Sequence, residues 1–70
     1  MLIKKQFFVN GHEFYTTSNI TLFDLINYFN YTKSLFVLEY NNLICDKSEW
    51  KKITITNNDK IEIVTIVGGG

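Results

Sequence analysis

The chain has 70 residues, a mass of 8.2 kDa, seven lysines, no arginine, seven acidic residues and a formal net charge of zero. That size leaves room for one small domain and excludes an enzyme with its own cofactor-binding domain. A single cysteine excludes an internal disulfide, and one Cys with one His cannot build a zinc site, so the metal expectation is none. The first 35 residues carry three Lys against two acids and the last 35 carry four against five, so neither half is a basic arm for nucleic acid. With 46% hydrophobic residues and eleven aromatics, the chain is rich enough in apolar surface to fold by packing alone.

The opening Met1-Leu2-Ile3-Lys4-Lys5 has no apolar run after its lysines. It reads as neither a signal peptide nor a membrane span, and a soluble, intracellular protein is expected. Ala, Arg and Pro are absent while Ile, Asn, Lys, Phe and Tyr abound. These are residues of AT-rich codons, and the bias points to an organelle or an AT-rich bacterium.

Asn10-Gly11 between apolar runs predicts a two-residue type I′ hairpin, because both residues accept positive φ cheaply. The turn fixes the register: Val9 faces His12, Phe8 faces Glu13 and Phe7 faces Phe14. Alternation then puts Phe7, Val9 and Phe14 on the core face and Phe8 on the opposite one. Thr21 with Asp24 three residues on reads as a capping box, with Ile20 and Leu25 at the hydrophobic-staple positions. Leu22, Leu25, Ile26 and Phe29 follow at helical spacing and predict a helix over about residues 22–31.

Leu35 to Tyr40 predicts a third strand. Asn41-Asn42 is a turn from which Leu43 to Cys45 can pair back. Asp46 to Lys52 is polar around Trp50, and Asn57-Asn58-Asp59 is another turn cluster. Lys60 to Val67 predicts the last strand, with Ile61, Ile63 and Thr65 on one face and Glu62, Val64 and Ile66 on the other. Hairpin, helix, strand, irregular segment and last strand suit an α+β domain, a mixed sheet of four to five strands with one main helix on one face. The β-grasp of ubiquitin is one such arrangement.

The chain stops at Gly68-Gly69-Gly70. Three glycines cannot stabilise a strand; for an arbitrary protein they would read as a frayed end. Here they follow a strongly patterned strand. The run Ile61-Glu62-Ile63-Val64-Thr65-Ile66-Val67-Gly68-Gly69-Gly70 resembles the C-terminus of the ThiS family, sulfur carriers of thiazole formation in thiamine synthesis. Phe8-Val9-Asn10-Gly11, Thr21-Leu22 with Leu25-Ile26, and Ile44 through Ser48-Glu49-Trp50 resemble other parts of that family. The likeness spans roughly residues 7 to 70. Asn42 and Asn58 stand where the family commonly has glycine, and Asp46 where it commonly has proline.

The resemblance implies a β-grasp domain over residues 1–67 and a flexible glycine tail at 68–70. It implies a carrier protein, a co-substrate and not an enzyme. A ThiF-like enzyme, using ATP and magnesium, would adenylate the carboxyl of Gly70, the carrier itself holding no cofactor. A persulfide donor such as a cysteine desulfurase relay would displace AMP to leave a thiocarboxylate, and a ThiG-like thiazole synthase would take up its sulfur. Gly68 and Gly69 give clearance in narrow channels. Five extended residues from Ile66 to Gly70 reach roughly 17 Å. The apolar residues Phe8, Val64, Ile66 and Val67 are the candidate docking surface, because exposed apolar residues mark interfaces. The expected carrier is a monomer when free, contacts neither nucleic acid nor membrane, and resides in cytoplasm (a bacterial cytosol, or the plastid stroma).

Three other readings stand beside this one. One is the sulfur carrier of molybdopterin synthesis, whose tail typically carries prolines. Another is a ubiquitin-like modifier of lysines, and the third an interaction module with an idle tail. Cys45 reads as a small hydrophobe, His12 as surface, Trp50 as an anchor for the irregular segment, and Lys47, Lys51 and Lys52 as a solvated face. No carboxylate pair stands at a spacing that suits acid–base catalysis.

Overall fold

The computed structural model describes residues 3–31 and 35–66. Two strands, β1 (Lys5–Val9) and β2 (His12–Thr16), precede one helix, α1 (Leu22–Tyr28). Strands β3 (Phe36–Tyr40) and β4 (Leu43–Ile44), a short 3-10 helix (Lys47–Glu49) and β5 (Asp59–Thr65) follow. The five strands form one sheet in the order β2-β1-β5-β3-β4. Only β1 and β5 run parallel; the other neighbours are antiparallel. The α+β expectation of a mixed sheet with one main helix is met, at five strands.

The first hairpin has the register that its turn dictates: Phe7 faces Phe14, Phe8 faces Glu13 and Val9 faces His12. Asn10 and Gly11 take φ of 50° and 80°, the pair of positive values a type I′ turn requires. Asn41 and Asn42 repeat this at the second hairpin with φ of 51° and 73°, and Asn58 turns into β5 at φ 69°. Asparagine enters the left-handed region more readily than other non-glycine residues.

Helix α1 starts as expected. The Thr21 hydroxyl accepts from the Asp24 N–H at 3.1 Å, and the Asp24 carboxylate accepts from the Thr21 N–H at 3.0 Å. The helix is shorter than the 22–31 its apolar spacing predicts. It closes at Phe29, and Asn30 turns left-handed at φ 61° just beyond. Phe29 keeps its place on the apolar stripe and meets the Phe14 ring edge to face, 5.3 Å between centroids.

Leu22, Leu25 and Ile26 pack against Phe7, Val9, Leu38, Ile61 and Ile63 of the inner sheet face, all buried. Burying one such side chain contributes about 1.5–3 kcal/mol. The segment between β4 and β5 is stitched to the start of α1: the N–H of Leu22 donates to the carbonyl of Ile53 at 3.0 Å, and that of Ile55 to the carbonyl of Ile20 at 2.8 Å. Ile55 is completely buried. Trp50 is the anchor expected of it, stacked on Phe36 at 5.2 Å with its indole N–H donating to the carbonyl of Cys45 at 3.2 Å.

Candidate functional site

Strand β5 lies in the centre of the sheet and points the chain towards its glycine end. Its ladder with β3 pairs Tyr40 with Ile61, Glu39 with Glu62, Leu38 with Ile63, Val37 with Val64 and Phe36 with Thr65. One further bond holds the exit, since the N–H of Ile66 donates to the carbonyl of Leu35 at 2.7 Å. The backbone is therefore pinned as far as Ile66. Val67, Gly68, Gly69 and Gly70, and with them the 67/68 boundary, lie outside the described residues.

The outer sheet face carries the rest of the candidate site. Ile61 and Ile63 point into the core, while Val64 and Ile66 are 52% and 49% exposed, as the alternation requires. Phe8 also lies on this face, half-buried, but the structure does not gather it with Val64. Phe8 is level with Lys60 in the parallel β1–β5 ladder. Four residues of strand, about 13 Å, separate that level from Val64. Phe8 instead borders a shallow depression of about 140 Å³ with Gly11, Lys60 and Glu62. The neighbour of Val64 is Val37, directly across the ladder. Alternation within Leu35–Tyr40 already puts Val37 and Glu39 on one face; the strand order needed to set them beside Val64 and Glu62 is not a local signal. Ile44, 77% exposed on β4 and opposite Glu39, is a further apolar residue that the sequence left unassigned.

The titratable groups have structural roles. Asp59 is buried at the start of β5. Its carboxylate accepts from the Tyr40 hydroxyl at 2.6 Å, the Asn41 amide at 3.1 Å, the Thr56 N–H at 2.7 Å and the Thr56 hydroxyl at 3.0 Å. Burial opposes the charged form, but these four donors outweigh it and hold the carboxyl below its ordinary range. Burial and the hydrogen bond to Asp59 push Tyr40 up to about 12. Cys45 is half-buried, and burial, then the charges of Glu49 and Asp46, push its thiol up. It stays protonated at neutral pH, the state least suited to sulfur transfer. Lys52 pairs with Glu49 at 3.2 Å and Lys51 lies over the Phe23 ring at 4.6 Å, so two of the three clustered lysines have partners within their own surface. His12 is exposed. Among the described residues no group of three or more His, Cys, Asp or Glu could hold a metal ion, and no helix is long and apolar enough to cross a membrane.

A mixed β-grasp sheet over one helix, with a central last strand running out towards three glycines, is the architecture of the ubiquitin-like carrier proteins. The ThiS family model matches residues 6–70, and the chain belongs to that family. Its members are small sulfur carrier proteins and not catalysts, which implies dealings with adenylating and sulfur-transfer enzymes in general. Uncharacterized protein ycf40 of Trieres chinensis is 68% identical over 66 residues, covering 94% of this chain and 90% of the relative. Proteins of the same name from Pyropia yezoensis and Porphyra purpurea are 31% and 32% identical over 62 residues, covering 89% of this chain and 87% of each relative. The crystal structure of thiamine biosynthesis protein ThiS from Geobacter metallireducens shares the fold, with a TM-score of 0.76 at 18% identity over 93% of this chain and 99% of that one.

Proposed function

We propose that this chain carries sulfur as a thiocarboxylate on Gly70 and delivers it to thiazole formation in thiamine synthesis. The observation that carries the reading is the family match, which spans residues 6–70 and so takes in the glycines at 68–70. A carboxylate is a poor electrophile. Joined to AMP by a ThiF-like enzyme that uses ATP and magnesium, the acyl carbon gains a good leaving group. A persulfide sulfur then displaces AMP, and after reduction of the S–S bond by a thiol the sulfur remains on the acyl carbon. The thiocarboxylate is ionised at neutral pH, and its soft sulfur is the nucleophile a ThiG-like thiazole synthase requires.

The division of labour between body and tail supports this. With Ile66 pinned to Leu35, the span from there to Gly70 is four residues, at most about 14 Å. That is shorter than the 17 Å counted from an unpinned Ile66, and it requires the partner to meet the body close to the exit. Val64, Val37 and Ile66 are the apolar surface at that point. The ycf40 name that the three relatives carry, and the abundance of residues with AT-rich codons, favour the plastid stroma as the place of action.

Supplying the chain to an adenylating enzyme, a sulfur donor and a ThiG-like synthase tests the reading: thiazole product that depends on Gly69 and Gly70 supports it. Stable isopeptide adducts to lysines, without thiazole, would assign the chain to the protein modifiers instead.

A further inference from the structure

Asn10 is the only asparagine in the chain that is followed by glycine. The pair has a chemistry of its own: the backbone nitrogen of the second residue can attack the side-chain carbonyl carbon of the first. Glycine, without a Cβ, shields that nitrogen least. In the fold the nucleophile is free. Asn10 and Gly11 are both exposed, and a Cβ built on Gly11 would meet nothing within 4 Å. Among the described residues the Gly11 N–H donates no hydrogen bond. The electrophile is not free. The Asn10 carboxamide is clamped on Ile63 of β5, its oxygen accepting from the N–H at 2.7 Å and its nitrogen donating to the carbonyl at 3.2 Å. To close a ring on the Gly11 nitrogen, the carboxamide must first leave Ile63.

We propose that Asn10-Gly11 is a deamidation site that the fold holds shut, and that its conversion detaches β1 from the strand leading to the tail. The site needs water and no partner, so it is independent of the carrier reading. The Gly11 nitrogen bonds to the Asn10 side-chain carbon, the C–N bond of the carboxamide breaks, and ammonia leaves with the proton of the Gly11 N–H. Water then opens the cyclic imide at either carbonyl and leaves aspartate or isoaspartate. Aspartate keeps an acceptor for the Ile63 N–H but sets a carboxylate oxygen against the Ile63 carbonyl. Isoaspartate routes the backbone through the former side chain, one methylene longer, which the tight geometry of a two-residue turn does not accommodate. Both products lose the paired bonds. The β1–β5 ladder ends at Val9 and Ile61, so the side-chain clamp is what joins the two strands at the level of Ile63.

The test ages the full chain in mildly alkaline buffer, folded and in denaturing urea. Peptide mapping locates the mass gain of the amide-to-acid exchange, and isoaspartate content is a second readout. In the unfolded chain Asn10 should convert ahead of every other asparagine. In the folded chain it should convert at least about tenfold more slowly, because two hydrogen bonds must be given up first. Trp50→Ala, whose fold opens more often, should recover part of the unfolded rate, and sub-denaturing urea should do the same for the wild type. In the purified product the Ile63 N–H should exchange with solvent at least about tenfold faster than in the unaged chain, with a lower melting temperature. Equal rates in the folded and unfolded chains overturn the inference, as does another asparagine converting first in urea. A folded-state rate that neither Trp50→Ala nor sub-denaturing urea raises overturns the role of the clamp. A product that matches the unaged chain in Ile63 exchange and melting temperature overturns the detachment of β1.

Discussion

The side chain of Asn10 pairs with the peptide backbone of Ile63 as if it were one more residue of β1. Its carboxamide oxygen accepts from the Ile63 N–H at 2.7 Å and its amide donates to the Ile63 carbonyl at 3.2 Å. The parallel ladder ends at Val9 and Ile61, and the Asn10 N–H then donates to the Ile61 carbonyl at 2.9 Å. The turn residue thus prolongs the pairing along the strand that leads to the tail. Asn41 acts alike from the other side, accepting from the Lys60 N–H at 2.8 Å and donating to Asp59.

Replacing Asn10 separates its two roles. Asn10→Gly keeps the left-handed φ and loses both side-chain bonds; two net hydrogen bonds correspond to about 1–3 kcal/mol. Asn10→Asp retains an acceptor for the Ile63 N–H but sets a carboxylate oxygen against the Ile63 carbonyl, so its loss should be larger at neutral pH than at acid pH. Urea unfolding of the three proteins checks both statements. Equal stability of wild type and Asn10→Gly would show that only backbone geometry matters there.

The Tyr40–Asp59 contact governs stability at both ends of the pH scale. Folding lowers the Asp59 pKa, so its contribution is present above the ordinary carboxyl value and disappears as pH falls through about 4 and below. Folding raises the Tyr40 pKa to about 12. That contribution is complete below the ordinary tyrosine value of about 10 and vanishes as pH climbs from there. Tyr40→Phe should cost about 2 kcal/mol at neutral pH, as a hydrogen bond to a buried charge does. It should flatten the alkaline limb while keeping the acid limb, readable as melting temperature against pH. An unchanged alkaline limb would move that limb's origin to another group.

Trp50 holds the irregular segment to the sheet. Trp50→Ala should cost about 3–5 kcal/mol, a large share of the stability of a domain this small. Trp50→Phe keeps an aromatic against Phe36 and should lose much less. Chemical denaturation distinguishes the two; similar losses would mean that the indole hydrogen bond to Cys45, and not the stack, is what counts.

Much of this was legible locally because the signals are local. Asn10-Gly11 fixes a hairpin register by backbone geometry, and Thr21 with Asp24 fixes a helix start by reciprocal hydrogen bonds. Alternation in β5 told its core residues from its exposed ones. The helix end was overrun because Phe29 continues the apolar stripe while Asn30, one residue on, stops the helix by turning left-handed; periodicity sees the first and not the second. The Asp59 network and the facing glutamates depend on β3 lying beside β5, which no spacing along the chain reveals. Phe8 was grouped with Val64 for the same reason: alternation assigns a face but not a height along it.

At the exit, Val64→Lys should leave the melting temperature nearly unchanged, within about 0.5 kcal/mol of stability, because Val64 is half exposed. Its KM with the adenylating enzyme should rise. A loss of several kcal/mol would instead mark Val64 as part of the packing that holds β3 to β5.

In the tail, Gly69→Val should keep the fold and block adenylation, because the proposed reading sends the glycine backbone through a narrow channel that a branched side chain would not enter. AMP-forming turnover at the wild-type rate by that variant would contradict the steric argument.

The most direct measurement is the intact mass of the chain after incubation with an adenylating enzyme, ATP, magnesium and a persulfide donor. A sulfur carrier gains one sulfur in place of one oxygen, on the Gly70 carboxyl, and a form lacking Gly69 and Gly70 gains nothing. An unaltered mass in a reaction that converts a known carrier, or an equal gain by the shortened form, would contradict the account.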